Sequence, residues 1–216
     1  DGYLAAARGR SNQLAVFIDS VGKTYALPAH TLPGARGQGE PLSGRLNPAD
    51  GARFSGVMLG DPADLFLLAS DAGYGFVSKL ADMTTRNKAG KSTLSVPKGA
   101  GVLPPVPVRN PEGDWIVAIT TGGYMLVIPL EELPQMSRGK GNKIINVPSA
   151  RLKSRDEFVA VIDCIQDGEK LTLYAGKKHK TMKADEVDEY AGERGRRGRK
   201  LPRGYQKVER VGIIGK

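Results

Sequence analysis

Apolar residues along this chain fall into short runs, each beside a small-residue turn. Leu14–Ile18, Leu65–Ala69, Trp115–Thr120 and Leu171–Tyr174 precede such turns; Lys23–Leu27, Gly75–Ser78, Tyr124–Ile128 and His179–Lys183 follow them. The turns read Asp19-Ser20-Val21-Gly22, Ser70-Asp71-Ala72-Gly73, Thr120-Thr121-Gly122-Gly123 and Tyr174-Ala175-Gly176-Lys177. Two partly β-branched stretches around such a turn predict a β-hairpin. Behind each hairpin lies a segment long enough for one helical turn and too short for a helix that stands alone: Thr31-Leu32-Pro33, Lys79–Met83, Leu130–Leu133 and Ala184–Tyr190. Further apolar runs (Ser92–Val96, Lys143–Val147), proline-bearing spacers (Asn47-Pro48, Pro97 to Pro107, Pro148) and two more strands, Arg53–Leu59 and Phe158–Ile165, fill the intervals. That makes about four strands per unit.

The units repeat. Turn glycines 22, 73 and 123 are 51 and 50 residues apart, and a second glycine series at 39, 90, 141 and 195 steps by 51, 51 and 54. Strand-built units of about 50 residues predict propeller-like blades. The units run roughly over 13–60, 61–110, 111–165 and 166–205. Gly2–Asn12, with Arg8-Gly9-Arg10, reads as the latter part of an extra copy, and Gln206–Ile214 is expected to complete it. Residues 1–12 and 206–216 would then form a further blade, and 1–216 a single domain. Tyr25, Tyr74, Tyr124 and Tyr174 are also evenly spaced, but they sit at different offsets from their turn glycines and are read as ordinary strand aromatics.

The chain has 216 residues, with Gly 28 and Pro 14, as many tight turns require. One cysteine, Cys164, allows no internal disulfide, and His30 and His179 lack nearby ligand partners, so no metal site is expected. No apolar run approaches the ~20 residues of a membrane span; the cytoplasm is the default location. The start at Asp1-Gly2-Tyr3, without a methionine, predicts a domain of a longer protein.

Net charge is +9 and uneven: residues 177–216 hold thirteen Lys/Arg against six Asp/Glu, residues 1–176 nineteen against seventeen. The cations concentrate in the second glycine series. Its loops read Arg36-Gly37-Gln38-Gly39, Arg86-Asn87-Lys88-Ala89-Gly90-Lys91, Arg138-Gly139-Lys140-Gly141 and Arg194-Gly195-Arg196-Arg197-Gly198-Arg199. Glycine lets backbone approach a phosphate and exposes its N–H groups. Arginine grips phosphate oxygens through paired N–H bonds. Repeated around one rim, such loops would form a cationic belt that binds duplex DNA by counterion release without reading bases. The candidate contacts are Arg36, Arg86, Lys88, Lys91, Arg138, Lys140, Lys143, Arg194, Arg196, Arg197, Arg199, Lys200 and Arg203.

No catalytic constellation accompanies them. Ala89-Gly90-Lys91-Ser92 resembles the end of a phosphate-binding loop, but position 85 is Thr and the following residues read as strand where that motif needs a helix. Gly73-x-Gly75 lacks the third glycine of a dinucleotide site. Asp156-Glu157 and Glu131-Glu132 read as solvated pairs. No His or carboxylate recurs at equivalent blade positions, as an enzyme propeller would need. An acidic protein remains a rival ligand for a basic rim.

Four strings carry a family resemblance: Thr31-Leu32-Pro33-Gly34-Ala35-Arg36-Gly37-Gln38-Gly39-Glu40-Pro41-Leu42, Ala69-Ser70-Asp71-Ala72-Gly73-Tyr74-Gly75-Phe76-Val77, Arg138-Gly139-Lys140-Gly141-Asn142-Lys143-Ile144-Ile145-Asn146 and Gly192-Glu193-Arg194-Gly195-Arg196-Arg197-Gly198. Together they resemble the C-terminal domain of ParC, the DNA-cleaving chain of bacterial DNA topoisomerase IV. The resemblance spans essentially the whole chain. It implies an all-β fold, a β-pinwheel: a propeller-like ring, open or closed, of about five four-stranded blades with strands exchanged between neighbours. The sister family, gyrase A, carries a DNA-wrapping box resembling Gln-Arg-Arg-Gly-Gly-Lys-Gly. The nearest string here, Met136-Ser137-Arg138-Gly139-Lys140-Gly141, lacks the leading Gln-Arg and one glycine, and the box could lie upstream of Asp1; it is mainly the long strings that favour topoisomerase IV over the gyrase alternative.

The resemblance further implies a monomeric, non-catalytic domain that holds and bends duplex DNA for strand passage, in decatenation and supercoil relaxation. It would need no cofactor of its own. ATP and Mg²⁺ would act on the companion chain of the heterotetramer, and the cleaving tyrosine would lie in another region of the ParC chain. The partners would be double-stranded DNA, the rest of ParC and that companion chain, in a bacterial cytoplasm.

Overall fold

Fifteen strands are present in the structure, a computed structural model describing residues 4–34 and 36–215. In chain order they are β1 (Leu14–Asp19), β2 (Lys23–Pro28), β3 (Phe54–Gly60), β4 (Leu65–Ala69), β5 (Tyr74–Lys79), β6 (Lys91–Ser92), β7 (Val106–Pro107), β8 (Trp115–Thr120), β9 (Tyr124–Pro129), β10 (Asn142–Lys143), β11 (Val159–Ile165), β12 (Lys170–Ala175), β13 (Lys178–Met182), β14 (Arg199–Lys200) and β15 (Arg210–Ile214). All four expected hairpins form. Two short helices, α1 (Ser149–Ser154) and α2 (Ala184–Asp188), and four 3-10 turns complete the elements. Of these, α1 and the 3-10 turn Leu42–Gly44 are absent from the sequence reading. No helix is long and apolar enough to cross a membrane.

The strands assemble into four antiparallel sheets by a rule of exchange. Each hairpin is flanked on one side by the strand that precedes the next hairpin, and on the other by a two-residue strand that follows it. Blade one is β3-β1-β2-β6, blade two β7-β4-β5-β10 and blade three β11-β8-β9-β14. Blade four, β15-β12-β13, has three strands, so β13 keeps a free edge among the described residues. Here the structure corrects the sequence reading. The C-terminal run does not join residues 4–12 in a further blade; β15 pairs with β12, from Lys170↔Ile214 to Tyr174↔Arg210. The reason is connectivity: β15 holds the place beside β12 that β3, β7 and β11 hold beside their own hairpins. Residues 4–12 carry no strand, and Asp1, Gly2, Tyr3, Ala35 and Lys216 lie outside the described residues.

Packing explains the continuous apolar runs. A strand sandwiched between neighbouring sheets buries both faces, so its residues alternate between two partners rather than between core and water. On β4, Phe66 and Leu68 pack with Val16, Ile18 and Met58 of blade one, whereas Leu67 and Ala69 pack with Ile116 and Ala118 of blade three. On β12, Leu171 and Leu173 meet Val117 and Ile119 of blade three. The outer face of blade one (Ala15, Phe17, Tyr25) is covered by Leu32, Leu42 and Leu46 from its own connection.

Three hairpin turns share one geometry. Gly22, Gly73 and Gly123 have φ of +87°, +91° and +85°, and each donates its N–H to the residue three before it. A Cβ on Gly22 would stand 1.9 Å from the Leu94 carbonyl oxygen, because the chain beyond β6 passes directly over that turn. The blade-four turn at Gly176 has open space around it.

Candidate nucleic-acid interface

The exchanged strands carry the basic loops onto the sheet edges. β6, β10 and β14 each follow a positive-φ glycine: Gly90, Gly141 and Gly198. A Cβ on Gly141 would sit 2.0 Å from the Gly75 carbonyl oxygen, and one on Gly198 2.4 Å from that of Met125. Only glycine lets the donated chain lie this close to the hairpin. Gly198, not Gly195, is therefore the equivalent of Gly90 and Gly141, which corrects the spacing read from sequence. Gly39 does not join the series: it has open space around it, and no preceding blade is present among the described residues for its loop to edge.

These segments are bonded to one another in sequence along one border. Asn47 donates its backbone N–H to Lys88 at 2.8 Å, Ser95 to Gly139 at 2.8 Å and Asn146 to Arg196 at 2.9 Å. Lys88, Gly139 and Arg196 thus occupy one repeated position. Adjoining the first junction is a groove of about 600 Å³ lined by Arg45, Arg86, Asn87 and Lys88; at the second, one of about 520 Å³ is lined by Lys23, Ser95 and Arg138.

The candidate residues divide by what holds them. Arg86, Lys88, Arg138 and Arg203 are exposed, and no acidic group pairs with them among the described residues. Lys140 is exposed and lies 4.3 Å from the Tyr74 ring centroid; Lys143, half-buried, lies 5.8 Å from it and donates to Asn146 Oδ1 at 3.3 Å. Arg194 donates to the Lys143 carbonyl at 2.8 Å, Arg199 to that of Glu189 at 3.0 Å and Lys200 to that of Gly122 at 2.9 Å. Lys91 turns its ammonium back to the Asp82 carbonyl. Arg196 pairs with Glu193 in solvent at 3.1 Å, a contact of small energetic weight. Arg36 is exposed on the irregular segment between β2 and β3.

Arg197 is the exception. Its guanidinium donates to both oxygens of Glu157, at 2.5 and 2.7 Å, and stacks on Tyr124 at 3.7 Å. Glu157 is only 1% exposed and also accepts from Thr120 Oγ1 at 2.7 Å and Arg151 Nε at 3.1 Å. Burial opposes ionisation, but these hydrogen bonds outweigh it and hold the carboxyl at about 2. The sequence reading of Glu157 as solvated is thereby corrected, and Arg197, a candidate phosphate contact, is held by this carboxylate; the pair ties the segment entering β14 to the segment entering β11, while Thr120 joins Glu157 to the end of β8. Arg155 clamps Asp71 in the same manner, at 2.9 and 2.7 Å.

Tyr74 and Tyr124, read from sequence as ordinary strand aromatics, do occupy equivalent positions. Each stands one after the turn glycine, opposite Lys143 and Lys200 in register. The signal in the sequence is a Lys two residues beyond Gly141 and Gly198. Tyr25 differs: it is fully buried, with its hydroxyl on Asp19 at 2.7 Å.

Comparison with known proteins now adds to the geometry. The sequence model of the family described as DNA gyrase C-terminal domain, beta-propeller, matches residues 64–105 and 114–164. The A-subunit of DNA topoisomerase 4 from Pseudomonas aeruginosa is 56% identical over 209 residues, 97% of this chain. Its Escherichia coli counterpart of the same name is 44% identical over 213 residues, 99% of this chain. The chain spans 28% of the length of each. The solved structure of the E. coli ParC C-terminal domain superposes with a TM-score of 0.86 at 44% identity, over 96% of this chain and 84% of that one. A solved DNA gyrase A C-terminal domain, at 13% identity and a TM-score of 0.72, shares the fold, over 97% of this chain and 68% of that one.

Proposed function

We propose, from the fact that the chain belongs to the ParC C-terminal domain family of topoisomerase IV, that it is a non-catalytic module holding and bending duplex DNA. Within the parent enzyme it presents a duplex to the strand-passage machinery. The cleaving tyrosine of that enzyme lies elsewhere in the ParC chain, and ATP and Mg²⁺ act on its companion chain. The module itself uses no cofactor.

The observation that carries this reading is the bonded series of exchanged segments, each bringing Arg and Lys to the same border. Arg86, Lys88, Arg138, Lys140, Lys143, Arg194, Arg196, Arg199, Lys200 and Arg203 are the proposed phosphate contacts, with Arg36 on the loop of the first unit. Phosphate contacts of this kind fix a duplex in place and carry no base information. A row of them along successive blade edges favours a curved path, whose bending energy the contacts offset. Identities of 44–56% to topoisomerase IV A-subunits favour that parent.

The test is fluorescence anisotropy of a 30-base-pair linear duplex across a salt series. Affinity should fall linearly in log–log form, with a slope of about 0.9 per phosphate neutralised, and differ little between sequences. Charge reversal at Arg86 and Arg138 should weaken all sequences alike. Salt-independent binding, or a strong preference for one sequence, would overturn the reading. Comparing the full enzyme with and without this domain on linked DNA circles tests its part in decatenation.

A further inference from the structure

Two tyrosines outside the candidate list sit under the cations of the rim. Tyr74 lies beneath Lys140 at 4.3 Å and Lys143 at 5.8 Å; Tyr124 lies beneath Arg197 at 3.7 Å and Lys200 at 4.7 Å. Both rings are half-buried, and neither hydroxyl makes a hydrogen bond among the described residues. Their register is the same: Tyr74 opposes Lys143 and Tyr124 opposes Lys200 across the exchanged strand. Blade one breaks the pattern. There Lys23 opposes Ser92, Ala89 stands where Lys140 and Arg197 stand, and Lys91 reaches back to the Asp82 carbonyl.

A cation over an aromatic face gains about 0.5–1 kcal/mol at an exposed site. A lysine otherwise spends comparable rotamer entropy when it is fixed by a ligand. A ring that already holds the ammonium near its binding position lowers that entropy cost.

We infer that Tyr74 and Tyr124 are positioning residues: their rings pre-order Lys140, Lys143 and Lys200, so blades two and three present prepared phosphate-binding charge and blade one does not. This rests on the DNA-binding reading above. The hydroxyl has no part in it, so phenylalanine should serve as well as tyrosine.

The test uses the 216-residue chain, the 30-base-pair duplex and anisotropy, with each variant confirmed folded by thermal melting. Tyr74→Phe and Tyr124→Phe should bind within about twofold of wild type, and Tyr74→Leu about two- to tenfold more weakly, the fold-change equivalent of immobilising one rotamer-rich side chain. Added to Lys140→Ala/Lys143→Ala, Tyr74→Leu should have no further effect. A loss that persists in that background means the ring touches DNA itself and overturns the inference, as does a Tyr74→Leu variant that binds like wild type. Side-chain methylene resonances of Lys140 in the free chain provide a readout without DNA. They should be shifted upfield by the ring and lose the shift in Tyr74→Leu. Unshifted resonances overturn the positioning role, whereas a wild-type chain that ignores duplex while keeping the shifts refutes the DNA-binding reading alone.

Discussion

Replacing Arg197 by alanine should cost stability before it costs DNA affinity. Arg197 supplies two of the four hydrogen bonds to Glu157, whose side chain is 1% exposed. Breaking a buried ion pair by removing one partner costs about 3–5 kcal/mol. Arg151 and Thr120 remain on Glu157, which places the expected loss at the lower end, about 3 kcal/mol. For a domain of this size that corresponds to a fall of about 6–12 °C in melting temperature. The pH dependence follows from the same contact. A carboxyl held at about 2 in the folded state contributes stability that is present above its ordinary value near 4.5 and lost as pH falls towards 2. Wild type and Arg197→Ala should therefore differ fully at pH 7 and converge as pH drops through that window. Urea titrations at pH steps from 7 to 2.5 measure it, and Glu157→Gln added to Arg197→Ala should recover part of the loss. An Arg197→Ala chain as stable as wild type at pH 7, with duplex binding impaired as much as by Arg138→Ala, would refute the structural assignment.

Other consequences are open to direct measurement. Gly22→Ala should destabilise by more than about 2 kcal/mol, since the new Cβ meets a backbone carbonyl at 1.9 Å on top of the strain of φ +87°; Gly176→Ala, with open space around it, should cost only about 1 kcal/mol in chemical denaturation. Alanine at both Arg138 and Lys140 should lower the salt slope of duplex binding by about two. Burial raises the Cys164 thiol above its ordinary range, so its reaction with a disulfide reagent should track unfolding rather than proceed in the native chain. Leu173→Ala, at a fully buried site between blades three and four, should cost about 2–5 kcal/mol by urea unfolding.

Hairpins are legible in the sequence because a strand buried on both faces leaves an uninterrupted apolar run, and positive-φ turns select glycine. Trp115–Thr120 and Leu65–Ala69 match the observed strands residue for residue. Exchange is less legible, because its partners lie in neighbouring units and the donated strands are only two residues long. The segments Ser92–Val96 and Lys143–Val147 look like strands by composition, yet Leu94, Ile144 and Ile145 lie on largely irregular chain that crosses the turns, buried against the strands of the blades. Gly195 and Gly198 lie in one run of arginines; only the approach to the Met125 carbonyl singles out Gly198 as the residue that edges the hairpin. The C-terminal run goes to a blade other than the expected one because nothing local in Arg210–Ile214 names its partner. Among the cations, proximity to the rim is readable from charge, whereas the neutralisation of Arg197 depends on Glu157, forty residues away.

Exchange also sets an order on biosynthesis. Blade one is not complete until Lys91 and Ser92 have left the ribosome, and blade three waits for Arg199 and Lys200. Each nascent hairpin therefore exposes an unpaired edge while the next unit is still being made. Such a chain acquires its contacts late and over long separations, which slows folding and lengthens exposure to aggregation. A stop codon ahead of Arg199 in the last unit would strip the outer edge from blade three as well as truncating blade four.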